Sequence, residues 1–443
     1  MLADRTGRAC LTYGRTMCAY RQRGTVLTDH TFTVPLDHGQ PGGERIEVFA
    51  REVVAAGRAG SSLPWLLFLQ GGPGFGALRP SGRESWLDRA LDDYRVVLVD
   101  QRGTGRSTPA SRHTVARFGT AQAQARYLAQ FRADSIVRDA ELVRRELTGG
   151  QTWSVLGQSF GGFCTVSYLS IAPEGLSEAF ITGGLPGLDT SPDSVYRATY
   201  PQVAAKNRAH YERYPQDVER ARRVARHLRD ANVTLPGGAR LTVEAFQALG
   251  QVLGASTGSD ALHYLLEDPF AGNELSDSFL HRAQSRLSFA EAPLYAALHE
   301  ACYAQEQATR WSAQRIRGEF PGFDPAAALA GDAPLLFTGE MIYPWMFDTD
   351  PVLQPLRDAA QELAERESWP RLYDADRLGA NEVPVAAAIY FDDMYVPREF
   401  SLDTARAIRG LRPWVTNEYE HDGLRASNGA VLDRLITLAR GNA

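Results

Sequence analysis

Four short stretches of this chain, "LPWLLFLQ" (63–70), "YRVVLVDQ" (94–101), "WSVLGQ" (153–158) and "EAFITGG" (178–184), are nearly unbroken apolar runs rather than alternations of apolar and polar residues. A strand with one wet face alternates, whereas a strand that is apolar throughout is covered on both faces, as in a parallel sheet between layers of helices. Between two of the runs, "ADSIVRDAELVRRELTGG" puts Ile136, Ala140, Val143 and Leu147 on one helical face, with Asp134 expected as N-cap and Gly149 as the stop. Parallel neighbours need such a crossover helix. Upstream, "HTFTVPLDHG" and "RIEVFAREVV" do alternate and flank the turn-forming "QPGGE", which predicts an antiparallel pair.

The texture breaks at "GGLPGLDTSPDS" (183–194), and a long polar-faced stretch comes next, with helical patterns in "DVERARRVARHLRDANV" and "APLYAALHEACYAQEQATRW". Strand character returns only at "VPVAAAIYF" and "WVTNEYE". The expected fold class is α/β, a mostly parallel central sheet interrupted by a large helical insertion. Residues 1–27 are then an unassigned N-terminal extension, 28–185 the first part of the core, 186–383 the helical cap and 384–443 the second part of the core.

Net charge is −6 with acids and bases interspersed, so no basic stripe offers itself to nucleic acid. The first residues carry arginines but no continuous apolar segment of the secretory kind, and no later run is long enough to span a bilayer. A soluble, cytoplasmic protein without a membrane partner is expected. Cys10, Cys18, Cys164 and Cys302 are scattered and form no C-x-x-C pair, which argues against a disulfide framework and a zinc site. Cys164 is expected to pack as a small apolar residue.

"WSVLGQSFGGFC" (153–164) carries the chemistry. Gly157, Ser159 and Gly161 fill G-x-S-x-G between a predicted strand and a predicted helix, the setting in which a serine is held exposed on a tight turn. A serine hydroxyl needs a base, and the base needs an orienting carboxylate. His421, in "NEYEHDG", lies beyond the last predicted strand, while the other histidines precede Ser159 or fall in the insertion. The carboxylate is expected after the preceding strand, where "VAAAIYFDDMYVP" offers Asp392 and Asp393; adjacent side chains at a strand end diverge, so one of them faces the histidine. The oxyanion donors expected are the N–H of Phe160, directly after the serine, and that of Gly72 in the glycine-rich "FLQGGPGFGALRP". "DQRGTGRSTP" lacks both the G-K-[ST] ending of a phosphate loop and the G-x-G-x-x-G spacing of a dinucleotide site, and is read as a structural turn near the site. No metal or organic cofactor is required by this set.

With "QGGPG", "DQRGTGRS", "GQSFGG", "FTGEMIYPWMF" and "YFDDMYVP" in this order, the chain from about Phe32 onward resembles the longer, cap-bearing branch of the proline iminopeptidases. These are α/β-hydrolase enzymes that remove N-terminal proline. The resemblance implies a small peptide substrate with a free N-terminal proline. It matches Ser159, Phe160 and Gly162 to the G-x-S-x-G-G motif and Gly72 to the oxyanion glycine, with Gln70 where the family has histidine. Its G-x-x-D-x-x-x-P pattern falls on Asp393 and Pro397; the glycine is missing, which leaves Asp392 as the alternative. It also implies an acid that pairs the substrate's α-amine, matched by Glu340; the neighbouring Tyr343, Trp345 and Phe347 suit contact with a flat pyrrolidine ring, and core packing of the cap explains them equally well. A second carboxylate is implied, for which Asp392 and Glu382 are the candidates. An esterase or another amidase on the same scaffold, and a binding module with a vestigial triad, are the competing readings. Dehalogenase and epoxide hydrolase chemistry is disfavoured by a serine where those relatives place aspartate.

Overall fold

The computed structural model describes residues 9–12 and 16–441. Its main sheet is built from β1 (Ala9–Thr12), β2 (Thr16–Gln22), β3 (Thr25–Pro35), β4 (Arg45–Ala55), β5 (Trp65–Leu69), β6 (Arg95–Val99), β7 (Trp153–Gln158) and β8 (Leu176–Thr182). The short β9 (Phe270–Ala271) and β10 (Glu274–Leu275) pair apart from it, and β11 (Val385–Tyr390) and β12 (Leu411–Thr416) complete it. The order across the sheet is β1-β2-β3-β4-β6-β5-β7-β8-β11-β12. The first four strands run as antiparallel neighbours and β4 meets β6 antiparallel, while β6, β5, β7, β8, β11 and β12 are mutually parallel.

Side chains alternate across a strand, so both halves of each apolar run find a core. Leu67, Val155, Ile181 and Ala387 pack on one face with Ile136 and Val143 of the helix Ala133–Thr148 and Val166 and Leu169 of the helix Phe160–Ile171. Leu66, Leu156, Phe180 and Ala386 pack on the other with Trp86 and Leu87 of the helix Ser85–Asp93 and Val431 and Leu435 of the helix Ala430–Ala439. This double coverage is the physical content of the unbroken runs. Cys164 is wholly buried in the first cluster.

Several local expectations change. Part of the stretch expected to be an unassigned extension is ordered sheet: β1, β2 and the start of β3 lie within 1–27, with 1–8 and 13–15 outside the described residues. The side chains of Cys10 and Cys18 are likewise outside them. The N-cap position of the crossover helix is Arg132, and Asp134 instead sits in the first turn, where its charge suits the helix dipole, 3.0 Å from Arg138. Gly149 ends that helix at φ +67°. The last strand starts earlier than "WVTNEYE" suggests because β12 is an edge strand with Arg412, Pro413 and Val415 exposed, so its apolar signal is weak. "APLYAALHEACYAQEQATRW" is helical only over Pro293–Leu298, with a 3-10 turn at Glu300–Cys302 after it. Glu300 there accepts N–H groups from Ser312 (3.0 Å) and Ala313 (2.8 Å), pulling the chain toward the next helix.

Between β8 and β11 the chain is mainly helical, from Pro192–Arg213 to Ala375–Gly379. Among the described residues no helix is long and apolar enough to cross a membrane.

Candidate active site

Ser159 sits between the last residue of β7 and the first of the helix Phe160–Ile171, at φ +57° and ψ −126°. A non-glycine residue at positive φ is strained, and surrounding contacts must hold it there. Three do so: its N–H donates to Thr182 O (3.0 Å), and its carbonyl accepts from Gly162 (2.7 Å) and Phe163 (3.3 Å). The flanking glycines are steric requirements. A Cβ on Gly157 would run into the Gly161 carbonyl and Thr165 Oγ1, and one on Gly161 into the Leu69 carbonyl at the end of β5. Bulk is excluded at both positions by neighbouring backbone.

His421 lies beyond β12, and its Nδ1 is 2.7 Å from Asp393 Oδ2. Asp393 is held in turn by Tyr395 N–H (2.8 Å) and Val396 N–H (3.0 Å) on its other oxygen. A carboxylate oriented by two backbone donors accepts from the ring as well, so Nδ1–H is the donor and Nε2 is left as the acceptor. Burial disfavours the charged imidazole, but the Asp393 carboxylate, with Glu340 further off, outweighs it and raises the His421 pKa above 6.5. Gly183 lies between the two chemistries: a Cβ there would sit 3.1 Å from His421 Nδ1, one residue on from the Thr182 carbonyl that holds Ser159. Among the described residues no hydrogen bond joins the Ser159 hydroxyl to His421; such contacts are commonly long before substrate binds.

The loop after β5 lies against the serine. A Cβ on Gly71 would be 2.9 Å from Ser159 Cβ, so only glycine lets the backbone of Gly71 and Gly72 come this near. The N–H of Phe160, at the first turn of its helix, has no intrahelical acceptor and adds the positive end of the helix dipole. Asp100, completely buried, braces the loop by accepting from Ala77 N–H (2.8 Å), Arg79 Nη1 (2.9 Å) and Arg106 N–H (2.8 Å). Gln70 keeps its carbonyl on Gln101 Nε2 (2.9 Å) and its side-chain oxygen on Arg425 (3.1 Å). "DQRG" is thus a brace: Arg102 is buried on Asp139 (2.7 and 2.6 Å) and on the carbonyls of Pro35, Leu36 and Gln130.

Glu340 is half-buried and accepts the Tyr295 hydroxyl at 2.7 Å. Burial, and then the Glu340 charge, push the Tyr295 phenol well above its ordinary pKa, so it remains a donor. The other expected substrate contacts divide. Trp345 borders the cap cavity, but Tyr343 is fully buried with its hydroxyl 3.0 Å from that of Tyr200, and Phe347 is fully buried against Trp311. The turn after Glu340 directs both into the core of the cap. Asp392 is exposed at the strand end while Asp393 turns inward, so Asp392 neither orients His421 nor stands beside Glu340 as a buried partner. Glu382 is exposed too, 3.1 Å from Arg409 at the surface. The side chain that holds Glu340 is that of Tyr295, whose hydroxyl also accepts from Gln251 Nε2 at 2.9 Å. Sequence reasoning missed both, since they lie far apart in the chain and nothing in their spacing links them to an acid at 340.

Among the described residues no cluster of three or more His, Cys, Asp or Glu is arranged to hold a metal ion.

Comparison with known proteins places this geometry in a family. The α/β-hydrolase fold model matches residues 64–424. A proline iminopeptidase of Aeromonas sobria is 51% identical over 412 residues, covering 93% of this chain and 96% of that protein. A proline iminopeptidase of Aspergillus aculeatus is 36% identical over 420 residues, covering 92% of each. Similarity of that extent along nearly the whole chain, cap included, leads to one statement of kinship. The chain belongs to the proline iminopeptidases, serine hydrolases of the α/β-hydrolase fold.

Proposed function

We propose that the chain releases N-terminal proline from peptides by acyl transfer through Ser159, His421 and Asp393. The observation that carries the reading is the Glu340 carboxylate held at 2.7 Å by Tyr295, whose ring packs on Phe75 of the glycine-rich loop with centroids 5.2 Å apart. An N-terminal proline carries a secondary ammonium, and removing that charge from water costs several kcal/mol unless an anion meets it. Glu340 supplies the anion, and the distance from amine to first carbonyl then selects the terminal peptide bond.

His421 Nε2 takes the hydroxyl proton as Ser159 Oγ bonds to the carbonyl carbon, and the imidazolium is stabilised by Asp393. The carbonyl oxygen becomes an oxyanion facing the N–H groups of Gly72 and Phe160. The intermediate collapses by breaking the C–N bond, with the His421 proton passing to the leaving amine. Water, deprotonated by the same imidazole, then attacks the prolyl ester and returns Ser159 and free proline.

Glu340→Gln tests this against an esterase or a general amidase. Prolyl naphthylamide should lose about 10- to 100-fold in kcat/KM, the scale of a lost charged hydrogen bond, while a neutral acyl ester changes little. Unchanged proline turnover would remove Glu340 from the role assigned to it.

A further inference from the structure

Beyond the contact between Phe75 and Tyr295, whose ring centroids are 5.2 Å apart, the cap holds a cavity of about 580 Å³. Its walls include Leu249, Val252, Phe289, Met341, Ile342 and Trp345. This is more space than one five-membered ring needs, and it falls in the range that buries a ligand of small-molecule size. The cavity is continuous with the oxyanion loop, because Phe75 stands three residues after Gly72 and lines it while remaining 40% exposed. Gly339, Met341 and the Tyr295 that holds Glu340 also line it, but Glu340 itself does not. The anion assigned to the substrate's amine is thus not part of the cavity wall, and the loop assigned to its carbonyl borders it. Exposed Arg240, Arg286 and Glu291 keep the outer side of the cavity in water.

A substrate with its amine at Glu340 and its carbonyl oxygen between Gly72 and Phe160 has placed its whole acyl part. The leaving portion, beyond the scissile bond, then needs space of its own, and Phe75, three residues after Gly72, borders the cavity that offers it. We propose that the cavity is a leaving-side subsite, which receives the side chain of the residue after the N-terminal proline and favours large apolar side chains there. This rests on the aminopeptidase reading of the site.

The test is the hydrolysis of Pro-Gly-amide, Pro-Leu-amide and Pro-Phe-amide, which lack a charged C-terminus. Burial of a Leu or Phe side chain predicts a kcat/KM on the order of tenfold or more above that of Pro-Gly-amide. Ala248→Phe, which adds bulk to a cavity wall, and Val252→Ser, which makes a wall polar without adding bulk, should each draw the Leu-to-Gly ratio toward one. Measurable Pro-Gly-amide turnover with a wild-type ratio near one, or a ratio that neither variant changes, overturns the subsite alone. Failure to cleave any prolyl amide overturns the aminopeptidase reading and the subsite with it.

Discussion

In the proposed reaction the imidazole of His421 has to be neutral to accept the serine proton, and its environment sets the pH at which it is. With Asp393 raising its pKa above 6.5, activity should fall away as pH drops through a midpoint higher than that of a free histidine. Asp393→Asn should lower kcat by about 10⁴-fold and move that midpoint downward, read from the pH profile of kcat/KM. A profile that stays in place would mean the 2.7 Å contact does not govern the base. At this scale the serine turn was the most legible part of the sequence, because the collisions that demand Gly157 and Gly161 come from the strand–turn–helix crossing itself. Choosing between Asp392 and Asp393 needed coordinates, since only the backbone path decides which of two neighbours turns inward. Whether Tyr343 and Phe347 line a pocket or pack in the core was open in the sequence for a related reason: closeness to Glu340 along the chain does not say which side of a turn a ring takes.

Elements are positioned here by buried charge as well as by apolar packing. Arg102, with its side chain fully buried, ties the turn after β6 to the helix Ala133–Thr148 through Asp139, and to the end of β3 through the Pro35 carbonyl. Asp139→Asn would strand a buried guanidinium, and the expected loss is about 3–5 kcal/mol of stability, measured by urea unfolding. A loss below about 1 kcal/mol would show that the carbonyls alone satisfy Arg102. The parallel strands were legible because their runs are buried on both faces. β12 was not, since an edge strand with one wet side loses that signature. The helix at Pro293–Leu298 was overextended from sequence because its stop depends on Glu300 reaching Ser312 and Ala313, 12 and 13 positions away.

Across the molecule, the loops after β11 and β12 are tied to the helical segment between β8 and β11. The Gly254 carbonyl accepts the His421 N–H (3.2 Å), the Tyr395 hydroxyl donates to the Gln251 carbonyl, and Asp422 accepts from Ser256 N–H (3.0 Å) and its hydroxyl (2.6 Å). A Cβ on Gly254 would strike the Tyr395 ring, which itself packs 4.7 Å from the His421 ring. Gly254→Ala should therefore lower kcat/KM by at least about tenfold through displacement of the base, the size of effect that a small misplacement carries. Thermal unfolding and kinetics measured together would separate this from global damage; unaltered kinetics would mean the cap does not position His421. None of these cap–core contacts was legible in the sequence, because each joins residues well over a hundred positions apart. The central claim is that a free terminal amine, met by Glu340, brings the first peptide carbonyl to Ser159. Its most direct test compares kcat/KM for prolyl naphthylamide and its N-acetyl derivative on the same enzyme. The account predicts turnover of the first and a loss of at least about 10²-fold on the second; equal turnover of the two would contradict it.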